Sequence, residues 1–80
     1  MNVASIRQLA DTFSKEQLQT AESSLLEEQP LAIDVPGVDE GEQLTHVIAA
    51  QWVITHKAET GVDTMTAIRA YTKRVRQSIS

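Results

Sequence analysis

Cysteine is absent from this 80-residue chain. No disulfide, thiolate nucleophile or cysteine metal site can be built from it. Aromatic mass is scarce as well, with Phe13, Trp52 and Tyr71 the whole supply. No apolar run is longer than Val47-Ile48-Ala49-Ala50, far short of the ~20 residues that span a bilayer. The early chain lacks a signal-peptide apolar region, so the expectation is a cytoplasmic protein with no membrane contact. Its three glycines form no phosphate loop, and no serine sits in a Gly-x-Ser-x-Gly elbow. These gaps argue against an enzyme and against any cofactor.

One further absence is positional. Residues 16–42 contain no Lys or Arg but eight carboxylates: Glu16, Glu22, Glu27, Glu28, Asp34, Asp39, Glu40 and Glu42. Residues 64–80 contain no carboxylate but four cations: Arg69, Lys73, Arg74 and Arg76. The net charge of −4 therefore hides an acidic part and a basic part. Eighty residues make one domain, and an unstapled core of that size supplies only ~3–5 kcal/mol. A chain so short of aromatics and disulfides is expected to gain burial by self-association.

What is present reads as an all-α fold: a compact four-helix domain, residues 1–80, with an extended crossover between helices two and three. Val3, Ile6, Leu9, Ala10 and Phe13 form the stripe of a first helix over residues 3–13, capped by Asn2. Ser14 and Gln17 form a capping box for a second helix, with Leu18, Ala21 and Leu25 inward and Pro30 as its stop. Leu31, Ile33 and Val35 then alternate with Ala32 and Asp34 before a Pro36-Gly37 turn. A lone strand has no mate inside the chain, so this stretch is expected to drop alternate side chains onto the bundle. The third helix runs from an Asp39–Glu42 capping box to a Gly61 C-cap. Asp63 caps the fourth, whose inner stripe is Met65, Ile68, Thr72, Val75 and Ile79.

The third helix is apolar around most of its circumference and is read as the hub. Leu44, Val47, Ile48, Ile54 and Ala58 share its main face, while Ala49 and Val53 lie opposite and Trp52 on the flank. Trp52 and Val53 are the candidate self-association residues. Gln51, on the main face, is expected to pair with a backbone group or with Tyr71 or Thr72.

His46 and His56 are the natural metal or acid–base candidates. Ten residues apart on one helix, they stand about 15 Å apart along its axis and cannot share an ion. Both read as solvated or half-packed, with Glu59 a surface partner for His56. In Asp39-Glu40-Gly41-Glu42 the carboxylates bunch instead of alternating as a calcium loop requires, and helix capping explains them. No catalytic or metal-ligating residue is assigned.

Arg69, Lys73 and Arg76 recur at i, i+4 and i+7, a basic stripe beside the apolar face of the fourth helix. The stripe has three readings: complement, within or between subunits, to the chain's own acids at 16–42; docking surface for an acidic partner protein; or grip on nucleic acid. A sequence pI of about 4.9 weighs against nucleic acid.

From Leu44 through His56 to the run from Ala67 to Ile79, the second half resembles a small bacterial family of uncharacterised all-helical proteins. The likeness is carried by an aromatic, Tyr71, two residues before Lys73-Arg74-Val75, with Ser78-Ile79 near the end. It implies a one-domain helical protein without assigned activity, and it transfers no site residue. The sequence thus reads as a non-enzymatic protein–protein interaction or regulatory module, self-associating as a homodimer or bound to an acidic partner through Arg69, Lys73 and Arg76. The alternative is a small nucleic-acid-associated regulator using the basic helix.

Overall fold

Local capping chemistry decides where each helix of this chain begins. In the computed structural model, which describes residues 2–79 with the side chains of Ser78 and Ile79 excepted, the Asn2 side chain accepts from the Ala4 and Ser5 amides and opens α1 (Val3–Thr12). Ser14 and Gln17 form the full reciprocal capping box of α2 (Lys15–Leu26). Asp39 accepts from the Glu42 amide at the start of α3 (Glu40–Thr60), and Gly61, at φ 75°, closes that helix. Asp63 accepts from the Thr66 amide at the start of α4 (Thr64–Ile79). The place of Ile79 on the inner stripe lies outside the described residues.

Two ends differ from the sequence reading. Helix α2 stops at Leu26, not at Pro30. Its end is a Schellman motif, with the Glu28 amide on the Leu25 carbonyl and the Gln29 amide on that of Ser24. Glu28 fills the left-handed position at φ 57°, where glycine is usual and another residue costs about 1–2 kcal/mol. The expected Asp39–Glu42 box is also only half realised. Asp39 caps, but the Glu42 carboxylate turns toward His46, 3.9 Å from Nε2.

Helix α3 is the hub, packed by α1, α2 and α4, and α1 and α4 pack on each other. Contacts at the helix ends give the directions. His46 meets Asn2 and Lys57 meets Asp11, so α1 runs parallel to α3. Thr64 also meets Asp11, so α4 runs antiparallel to α1. Between α2 and α3 the crossover is extended, with no strand among the described residues. Its alternation is as expected: Leu31 and Ile33 half-buried, Ala32 and Asp34 exposed, Val35 buried.

The hub's most buried side is not the expected one. His46, Ala50, Val53 and Lys57 share a stripe whose ends are pinned to α1, and His46, Ala49, Ala50 and Val53 are all fully buried. Of the expected main face only Val47 is fully buried; Ile48 is 43% exposed and Ala58 is exposed. Alanines at 49 and 50 let neighbouring helices approach closely, and polar residues at both ends of the stripe disguise it. The remaining core is Ile6, Leu9, Leu18, Ala21, Leu25, Ala67 and Ile68. Each fully buried Leu or Ile contributes about 1.5–3 kcal/mol.

Candidate interaction groove

The register of α4 against α1 is fixed by one hydroxyl. Thr64 Oγ1 donates to Asp11 Oδ1 at 2.7 Å and accepts from Lys57 Nζ at 2.7 Å. Arg7 adds a longer contact to Asp11, 3.7 Å. This cluster ties three helices at one end of the molecule, and nothing in the sequence order of Arg7, Asp11, Lys57 and Thr64 pointed to it.

Farther along, the two helices leave a groove of about 410 Å³, lined by Val3, Met65, Ile68, Arg69, Thr72, Lys73 and Arg76. Its floor is apolar, with Val3 41% exposed. Its rim is the basic stripe. Arg69, Lys73 and Arg76 are all exposed, and among the described residues none comes within 4.0 Å of a carboxylate. The acids of residues 16–42 do not reach them, because α2 packs chiefly on α3 whereas the stripe lies beside α1. The reading of the stripe as complement to the chain's own acids within one subunit is therefore corrected. The helix dipole favours Arg76 in the last turn, but it does not account for Arg69 near the start of α4.

A family model, described as a family of unknown function, matches residues 1–80. The chain belongs to the DUF6952 family. The match covers the first half as well as the second, a wider span than the residues that carried the resemblance. Neither a curated protein nor a solved structure matches the chain.

Elsewhere in this DUF6952 domain the candidate residues fall apart. Val53 is fully buried inside the subunit and offers no surface for self-contact. Trp52 is half-buried, stacked on His56 at 4.6 Å and tilted against Tyr71 at 5.5 Å. It lines a shallow, more open depression with Ile48, Gln51, Thr55, Glu22 and Lys15. Gln51 pairs there with Glu22 Oε1 at 2.7 Å, not with Tyr71 or Thr72. His56 stacks on Trp52, as a half-packed residue should.

His46 is the larger surprise, being fully buried. The Asn2 amide donates to its Nε2 at 3.1 Å, so the ring proton sits on Nδ1, which donates to the Pro36 carbonyl at 2.8 Å. One neutral imidazole thereby joins α1 to the crossover. Among the described residues no three His, Asp or Glu side chains converge as a metal site. No helix among them is long and apolar enough to cross a membrane.

The electrostatics at the head of α4 give a pH test. Hydrogen bonds from the Thr66 side chain and then its backbone N–H, helped by Arg69 and Lys57, hold the Asp63 carboxyl below its ordinary value. A depressed folded-state value means stability that is present above the unfolded value and lost as pH falls through the folded one. Asp63→Asn should therefore flatten the acid side of the stability–pH curve between roughly pH 4 and the onset of acid unfolding. Urea midpoints at stepped pH would measure it, and an unchanged slope would remove Asp63 as a contributor.

Proposed function

We propose that this chain is a non-enzymatic, cytoplasmic interaction module that takes an acidic, amphipathic protein segment in the groove between α1 and α4. The observation that supports this reading most is the combination of an apolar floor with three exposed cations, none of them within 4.0 Å of a carboxylate among the described residues. An apolar ligand face would cover Val3 and Met65 while its carboxylates met Arg69, Lys73 and Arg76. Desolvating the floor supplies affinity, and the cations supply orientation and encounter rate.

The test uses a labelled synthetic peptide of alternating Leu and Glu, read by fluorescence anisotropy. Wild-type protein should bind it, more weakly as salt rises. Arg69→Glu with Lys73→Glu and Arg76→Glu should abolish binding while the circular dichroism spectrum remains that of a folded helical protein. Exposed substitutions away from buried partners usually change stability by no more than about 0.5 kcal/mol. Loss of the fold in the triple variant would return the stripe to an internal structural role. Retardation of DNA at ~50 mM salt that vanishes by ~200 mM, without peptide binding, would favour the nucleic-acid alternative.

A further inference from the structure

The molecule carries its own candidate ligand for the groove. Val38 is 89% exposed, the most exposed large hydrophobic among the described residues. It stands on a short tip between Pro36-Gly37 and the start of α3, with the exposed carboxylates of Asp34, Asp39 and Glu40 close by in the chain. An isolated exposed valine is ordinary. This one is an apolar knob ringed by acids, and the groove is an apolar hollow ringed by cations.

The two features are also neighbours in space. His46 bonds through one ring nitrogen to Asn2, which precedes the groove residue Val3. Through the other it bonds to Pro36, two residues before Val38. One imidazole ring therefore joins the chain leading to the tip to the chain that enters α1 beside Val3, one edge of the groove. Under a two-fold axis each copy gives a tip and receives one, and the assembly closes at two.

We propose that the occupant of the groove is a second copy of this chain, whose 37–40 tip enters it reciprocally to form a closed dimer. The proposal rests on the reading of the groove as a site for acidic, amphipathic segments and names the segment. Val38 covers Val3 and Met65 of the other copy. Asp34, Asp39 and Glu40 meet its Arg69, Lys73 and Arg76. The arrangement also brings together the separated acidic and basic parts of the chain, which a single subunit keeps apart.

Light scattering after size exclusion tests this with two folded variants, checked by circular dichroism. In the groove variant Lys73→Glu joins Arg76→Glu, and in the tip variant Asp34→Lys joins Glu40→Lys; Asp39 is spared because it caps α3. Wild-type protein should run near twice 8.8 kDa at low salt and shift toward 8.8 kDa as salt rises. Each variant alone should be monomeric, since its groove and tip then carry like charges. Their equimolar mixture should return to the dimer mass, because both contacts of the mixed pair are again complementary. Val38→Ser, which leaves every charge in place, should weaken the dimer about tenfold or more, the worth of one buried valine. A wild-type monomer at all concentrations, variants that dimerise alone, or a mixture that stays monomeric would each overturn the second-copy assignment. If the Leu–Glu peptide nonetheless binds the groove, the reading of the groove survives and only its occupant is wrong. If the peptide fails to bind as well, both fall.

Discussion

His46→Ala is expected to unfold much of the protein population at room temperature. The substitution removes a fully buried ring and leaves the Asn2 amide and the Pro36 carbonyl without their partner. The cavity and the lost packing cost about 2–4 kcal/mol, and each orphaned backbone group adds about 1–3 kcal/mol unless water reaches it. An unstapled core of this size supplies only ~3–5 kcal/mol. The two costs can be separated. His46→Phe fills most of the volume but offers neither a donor nor an acceptor, so it should recover the packing part alone. Urea titrations of both variants would measure the difference. If the two were equally stable, packing would carry none of the effect; if both matched wild type, the assignment of His46 as a joint between α1 and the crossover would be wrong. The tautomer is directly observable too: nitrogen-15 shifts of the ring should show a protonated Nδ1 and a bare Nε2.

Gly37→Ala is expected to cost more than Gly61→Ala, although both glycines have positive φ. Gly61 caps α3 at φ 75° with nothing within 4 Å of an added methyl. Its replacement pays only the left-handed penalty, about 1–2 kcal/mol. Gly37 has φ 153°, and a Cβ there would lie 2.9 Å from the Gln43 amide nitrogen and 2.8 Å from its Cγ. The side chain can swing away; the backbone of the first turns of α3 cannot without lifting the crossover. Lifting it strains the bonds from Gln43 Nε2 to the Val35 carbonyl and from His46 to Pro36. Overpacking of this kind adds about 1–3 kcal/mol. A thermal midpoint for Gly37→Ala no lower than that for Gly61→Ala would show that the crossover gives way freely.

The features legible from sequence are those decided within a few residues. Asn2, Ser14 with Gln17, Asp39, Gly61 and Asp63 announce helix ends because a side-chain oxygen or a left-handed residue acts on backbone groups next to it. The alternation at Leu31, Ile33 and Val35 was readable for the same reason. The end of α2 was not, because Glu28 holds a conformation that its side chain does not advertise. The bonds that hold the buried His46 reach Pro36, ten positions away, and Asn2, 44 positions away, so no pattern within the helix carries its burial. Helical spacing placed the basic stripe correctly beside an apolar face. That α1 rather than the acidic α2 would be its neighbour is a matter of packing order, which charge composition does not encode.

The position of α1 has a consequence for how the chain is made. Its buried residues Ile6 and Leu9 are covered by α3 and α4, and its anchoring bonds reach Thr64, 53 positions on, and His46, 44 positions on. During synthesis α1 emerges before either of the helices that hold it. Contacts of such long sequence separation form only after a large closure entropy has been met. Until α4 arrives, α1 has only its Asn2 cap and its own short helix, which is marginal alone in water. Of the four helices, the one translated first is among the last to be locked in place.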